Sequence, residues 1–390
     1  MFHRILNPLN SKSFFLFGAR ATGKSTFVRD RYGLEALYLD MLDPVLEDRL
    51  ARHPGDLTLL VKGAARDWII IDEVQKVPRL LDVVHQLLST TKVKFVLTGS
   101  SARKLKRGGA NLLAGRAYVY YMHPLTANEL GDRFALEEVL QFGSLPGVLD
   151  VDSDREKKTF LQSYALTYMK EEIAAEQILR KIDPFRNFLR IAAEQSGRLV
   201  NHSHIAKQLG VDHKTVVNYF SILEDTLLGF YLPSFHVSIR KSQVAAPKFY
   251  LFDLGIRNSL AETIELRAAP RTSYFGVLFE HFLILECFRL NSYAETNYRM
   301  SFLLTRAGFE VDLILSKGAR NTFIEIKSSD RIDPDEVAAL ARNLADDEAA
   351  HEIVYVSRDE NQVEIDGVRC LPWRAFLRRY FTSIDVEPMS

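Results

Sequence analysis

Residues 13–30 read SFFLFGARATGKSTFVRD: a short apolar strand, a glycine-punctuated turn, then the start of a helix. Within it Gly18-Ala19-Arg20-Ala21-Thr22-Gly23-Lys24-Ser25 fits G-x-x-x-x-G-K-[ST], with Thr26 next in the helix. The spacing has a physical cause. Two glycines let the backbone curl until consecutive N–H groups face one point, at the positive end of a helix dipole. A polyphosphate suits that point. Lys24 should reach the β- and γ-phosphates, and the Ser25 hydroxyl should ligate Mg2+.

Outward from the loop, DWIIIDEVQKVP (67–78) supplies four apolar residues, Trp68 to Ile71, then Asp72 and Glu73. The run reads as a strand buried on both faces. Asp72 is placed to hold Mg2+ through water, and Glu73 to polarise the attacking water as general base, about fifty residues after the loop. Further strands are expected at LYLDM (37–41), KFVLTGSS (94–101) and AYVYYMHP (117–124). Thr98 and Ser100 are either sensors of the γ-phosphate or lytic water, or plain turn formers. Arg116 is either a surface residue or an arginine finger reaching a neighbouring subunit's nucleotide. Arg103, Lys104, Lys106 and Arg107 form a basic loop that is a solvated turn or a polyanion contact.

Composition narrows the class. The 390 residues, 47% hydrophobic and 26% charged, suit a globular protein of several domains. Lys plus Arg and Asp plus Glu balance at 50 each, so any nucleic-acid contact must come from local basic patches. Two cysteines, Cys287 and Cys370, exclude a disulfide scaffold and suit a reducing cytosol. No apolar run reaches the roughly 18 residues of a membrane span. The start MFHRILNPLNSK lacks the apolar core of a secretory signal. A cytoplasmic protein without a membrane partner is expected.

In the middle, 125–183 reads as a helical lid and connecting helix. Residues 197–235 carry a helix from Ser203 to Leu209, a turn at Gly210, and a second helix capped by Asp212. This is a helix-turn-helix, and the strand-like stretches to about 251 would form a wing. His213, Lys214, Thr215 and Asn218 would project from the second helix. His202, His204 and His213 lack a metal-binding spacing.

The P-loop, IIIDEVQ, VLTGSS, LAGRA and MHPLTANEL together resemble the prokaryotic AAA+ ATPases whose C-terminal half was long a domain of unknown function. The resemblance implies a five-stranded parallel sheet flanked by helices, a small helical lid, and ring-like or lower-order homo-oligomers. The expected fold class is α/β: a P-loop AAA+ core (1–124), helical lid and connector (125–183), winged helix (184–252) and a further α/β domain (253–390).

That last domain has its own pattern. YFGVLFEHFLILECFRL (274–290) is expected as an amphipathic helix containing Glu280. GFEVDLIL (308–315) is a strand carrying Asp312, and FIEIKSS (323–329) is a strand with Glu325 and Lys327 on one face, roughly 7 Å apart. Helix with Glu, strand with Asp, strand with Glu-x-Lys resembles the PD-(D/E)XK nuclease core. The resemblance assigns Asp312 and Glu325 as Mg2+ ligands. It has Lys327 orient or deprotonate the attacking water, or stabilise phosphate charge, and Glu280 support the metal site. A domain that keeps the fold without cutting is the alternative. The expectation is an ATPase, using ATP and Mg2+, that acts on structured or branched DNA such as Holliday junctions. An ATP-gated regulator that binds DNA or a protein partner without cleavage is the competing expectation.

Overall fold

The computed structural model describes residues 2–101, 113, 115–168, 183–235, 246–345 and 349–382. The basic loop 103–107, the connector beyond 168 and the wing segment 236–245 lie outside the described residues.

Strands β1 (Ser13–Phe17), β2 (Ala36–Asp40), β3 (Trp68–Asp72), β4 (Lys94–Gly99) and β5 (Ala117–Tyr121) form one sheet in the order β2-β3-β4-β1-β5, every pair parallel. Helices α1 (Lys24–Tyr32), α2 (Pro44–Arg52), α3 (Asp56–Ala64) and α4 (Leu80–Thr90) flank it. Successive strand side chains point to opposite faces. Phe15, Phe17, Ile69, Ile71, Phe95 and Leu97 therefore join α3 and α4 in one core, while Phe14, Leu16, Ile70 and Val96 join Val28 and Tyr32 of α1 in another. Because the strands are parallel, the segments leaving β1, β3 and β4 emerge at one edge of the sheet. Ligands of open α/β sheets bind at such an edge.

The middle of the chain is helical: α5 (Ala127–Leu130), α6 (Leu136–Phe142), α7 (Pro146–Leu149), α8 (Asp154–Ser163), α9 (Asp183–Glu194), α10 (His202–Leu209) and α11 (His213–Asp225). The carboxylate of Asp212 accepts from Thr215 N at 2.9 Å and starts α11, as its position in the sequence predicts. An antiparallel hairpin, β6 (Gly229–Leu232) and β7 (Lys248–Leu251), and then α12 (Leu254–Leu260) follow.

The last part begins with α13 (Ser273–Tyr293) and a meander of β8 (Arg299–Leu304), β9 (Glu310–Lys317) and β10 (Arg320–Ile326). Helix α14 (Pro334–Leu344) leads to β11 (Glu352–Ser357), parallel to β10. β12 (Val363–Ile365), β13 (Val368–Pro372) and α15 (Trp373–Phe381) complete it, the sheet order being β12-β13-β11-β10-β9-β8.

The expectation of an amphipathic α13 is corrected. Its residues His281 to Cys287 are all buried, so the helix has no solvent stripe over that stretch. The reason is tertiary. One core joins α13 to Leu313 and Ile324 of the sheet on one side and to Leu125, Leu140, Tyr250 and Leu254 on the other. Packing also crosses residue 252, since Ile256 and Ala261 share a core with Phe188 and Phe220.

Candidate functional site

At the edge beyond β1, the glycine loop is shaped by backbone contact. A Cβ on Gly18 would lie 2.4 Å from the Met122 carbonyl oxygen, and Gly18 N donates to Gly99 O at 3.2 Å. Gly23, with φ +94°, caps α1 in a conformation that suits glycine. Thr22 Oγ1 donates to Ala19 O at 2.7 Å, and the Lys24 ammonium turns back onto the carbonyls of Gly18 (2.8 Å) and Ala19 (3.1 Å). Ser25 stands half-buried in the first turn of α1; Arg20, Ala21 and Thr26 face outward. Tyr164, after α8, donates to Arg20 O at 3.1 Å, so the middle helices touch the loop.

Beside it, Asp72 is 1% exposed and accepts from the hydroxyls of Tyr38 and Thr98. Glu73 turns the chain with φ +58°, a left-handed conformation costing a non-glycine residue about 1–2 kcal/mol. Its N–H donates to Thr98 Oγ1 at 3.1 Å, and its carboxylate accepts from the Gln75 amide. The same amide donates to Ser100 Oγ at 3.2 Å. Carboxylate, amide and hydroxyl thus form one connected row across the ends of β3 and β4. Arg116 stands elsewhere. It is exposed, donates to Ser89 Oγ and to His85 O on α4, and precedes β5, whose first residue pairs with Ser13. Five residues of strand put it about 16 Å along the sheet from the loop of its own chain.

The second site lies in the C-terminal sheet. Leu313–Ile324 is the last pair of the β9–β10 ladder, and Asp312 and Glu325 are the next residues of the two strands. Asp312 Oδ2 accepts from Ile326 N at 2.8 Å. Lys327 Nζ lies 2.8 Å from Glu325 Oε1, while Glu325 Oε2 is buried with no hydrogen-bond partner. Glu280 reaches over from α13 and accepts from Tyr250 Oη at 3.0 Å and Lys248 Nζ at 3.2 Å.

The charges of these groups act on one another. Burial, then the charges of Glu280 and Glu325, push the Asp312 carboxyl well above the usual carboxylate range. Burial also raises Glu325, against the pull of Lys327. For Lys327, burial pulls down, but Glu325 and Asp312 more than offset it, and its pKa rises. Two neighbouring carboxylates and one partnerless carboxylate oxygen are the donor chemistry of a hard divalent cation, with water or phosphate oxygens completing its shell. Among the described residues no group of three or more His, Cys, Asp or Glu is arranged to hold a metal. Glu280 is engaged by Lys248 and Tyr250 instead.

Several members of these sites escape sequence inspection. Tyr38 and Gln75 sit next to recognised residues, and the glutamine two positions after Glu73 was a usable signal. Arg4, whose guanidinium donates to Thr22 O, His123 O, Glu129 Oε1 and Tyr293 Oη, had none. Neither had Lys248 or Glu310, which meet only through the fold.

Residues 10–131 match the AAA domain family model. Residues 133–268 and 275–376 match two models described as domains of unknown function, DUF8612 and DUF4143. An uncharacterized protein of Mycobacterium tuberculosis is 26% identical over 316 residues, covering 80% of this chain and 69% of its own. One from Methanocaldococcus jannaschii is 21% identical over 330 residues, covering 77% and 71%. Among solved structures, the ORC1 protein of Aeropyrum pernix in complex with DNA aligns over 64% of this chain and 86% of its own, at 16% identity and a TM-score of 0.24. Can2 from Sulfobacillus thermosulfidooxidans with cyclic tetra-adenylate aligns over 95% and 99%, at 10% identity and a TM-score of 0.22. Scores this low carry neither fold nor ligand across. No helix of the described residues is long and apolar enough to cross a membrane.

Proposed function

We propose that the chain is a Mg2+-dependent ATPase whose nucleotide module drives or times the action on DNA of a PD-(D/E)XK nuclease-like C-terminal domain, with α9–α11 and the β6–β7 hairpin as a winged helix. The observation that carries the DNA half is the placing of Asp312 and Glu325 together at the end of the β9–β10 ladder, with Lys327 on Glu325. The ATPase half rests on the loop, Asp72 and Glu73 sharing one sheet edge within a segment matching the AAA domain.

In the first site Gly18 to Thr26 cradle the phosphates, Lys24 pairs with them, and Ser25 and Asp72 hold the Mg2+ of the nucleotide. Glu73 polarises the attacking water, with Gln75 and Ser100 fixing its carboxylate. Arg116 cannot reach its own loop from the far end of β5, so it serves the nucleotide of a second copy in a ring-like homo-oligomer. In the second site Asp312 and Glu325 hold a Mg2+ that, when bound, supplies polarisation of a phosphodiester and a hydroxide near neutral pH. Lys327 orients that water or meets the developing phosphate charge. Branched DNA, such as a four-way junction, is the favoured substrate, because phosphate contacts read shape rather than sequence.

One observation favours the competing regulator without cleavage. Lys248 and Tyr250 already occupy Glu280, leaving two carboxylates rather than three for a cation. Incubating the purified protein with linear, forked and four-way DNA, with and without ATP and Mg2+, separates the two. DNA-stimulated turnover and Mg2+-dependent cleavage, the latter lost in Lys327→Ala with DNA binding spared, support the enzyme. Slow turnover indifferent to DNA, with no cutting, leaves the regulator. Lys24→Ala disables nucleotide use under either.

A further inference from the structure

Lys248 opens β7, where it pairs with Leu232 of β6 and bridges to Leu199. Its backbone therefore belongs with the middle helices. Its ammonium does not. That group lies 2.6 Å from Glu310 Oε1 and 3.2 Å from Glu280 Oε1, over the Phe302 ring at 5.3 Å from the centroid, and the residue is 5% exposed. Glu310 lies two residues before Asp312 on β9, next to the register shift between β8 and β9. The field of Asp312 also reaches Lys248.

Glu280 and Glu310 thus hold Lys248, Glu325 holds Lys327, and the charges of Glu280, Glu325 and Lys248 all act on Asp312. With every group ionised, two negative charges remain uncompensated, which is the charge of one divalent cation. Withdrawing Lys248 leaves three. Charges a few ångströms apart in a partly buried setting interact several-fold more strongly than in bulk water. An ammonium fixed here therefore offsets part of the negative field that would draw a cation to Asp312 and Glu325.

Resting on the cation site proposed above, we propose that Lys248 is the resident counter-charge of the acidic site and sets its affinity for a divalent cation. The ammonium, held in place by β7, keeps that affinity down.

The test is calorimetric titration of Mn2+ into the nucleotide-free full chain, with heat lost in Asp312→Asn marking this site. Lys248→Met keeps the stem over Phe302 and removes the charge; its Kd should fall at least tenfold. Lys248→Arg restores the charge and should bring the Kd back toward wild type. A thermal melt without metal reports folding, and Lys248→Gln carries the same expectation if the methionine variant does not fold. Equal or weaker binding by a folded, charge-removing variant overturns the role of Lys248 and leaves the acidic site a cation site. Absence of Asp312-dependent binding in wild type and variants alike overturns the cation site itself.

Discussion

Replacing Arg4 by methionine tests whether the nucleotide loop and the C-terminal domain are mechanically joined. The guanidinium is 7% exposed and donates at 2.9 Å to Glu129 Oε1, 2.9 Å to Thr22 O, 2.7 Å to His123 O and 2.8 Å to Tyr293 Oη. One side chain thus ties the glycine loop, the exit of β5, helix α5 and the end of α13. Methionine fills most of the volume but leaves the fully buried Glu129 carboxylate without its counter-charge. Removing one partner of a buried ion pair costs about 3–5 kcal/mol. The low end applies here, because Glu129 still accepts from Ile5 N at 3.1 Å and Thr126 N at 2.9 Å. A loss of about 3 kcal/mol is therefore expected.

The chain's two tryptophans, Trp68 on β3 and Trp373 on α15, let urea unfolding be followed separately in each module with single-tryptophan variants. Both midpoints should fall. Adding Glu129→Gln to Arg4→Met should recover more than about 1 kcal/mol, since no buried charge is then left alone. A single-variant loss under about 1 kcal/mol, a shift confined to one tryptophan, or a double variant no better than the single refutes the reasoning.

Three further outcomes are expected. Gly18→Ala places a methyl 2.4 Å from the Met122 carbonyl, a backbone group that cannot swing aside, so nucleotide binding should drop sharply in a fluorescent-ATP titration. Gln75→Ala unfixes the Glu73 carboxylate and should lower kcat for phosphate release about tenfold with KM little changed, the signature of a lost positioning contact. Burial pushes the Glu286 carboxyl up to about 7 against the pull of Arg289, so the folded state holds a proton that the unfolded chain has released. Its contribution is complete below the ordinary value of 4.5 and declines as pH rises to about 7. Over that window the wild type should lose about 3 kcal/mol relative to Glu286→Gln, measured by denaturation at a series of pH values.

Much of the nucleotide module was legible because its determinants are local. A strand buried on both faces, a glycine where the backbone passes within contact of another chain segment, and an Asp-Glu pair at a strand end are each written in a few consecutive residues. The five-stranded parallel sheet implied by the family resemblance is present, and the structure gives its order as β2-β3-β4-β1-β5. Asp312 and Glu325 were paired by pattern, and the β9–β10 ladder that ends beside them brings them together.

What the sequence could not disclose are relations between distant segments. Helix α13 looked amphipathic because neither of its flanking layers is visible in its own periodicity; with apolar neighbours on both sides it has no face to give to water over its central turns. Arg4 and Tyr293 lie 289 residues apart, and Lys248 meets Glu280 and Glu310 only because a hairpin of the middle helices docks on the C-terminal sheet. Local composition determined which residue types carry the chemistry. Long-range packing alone decided which charges share an enclosure, because a charge's partners are set by distance in space rather than by order along the chain.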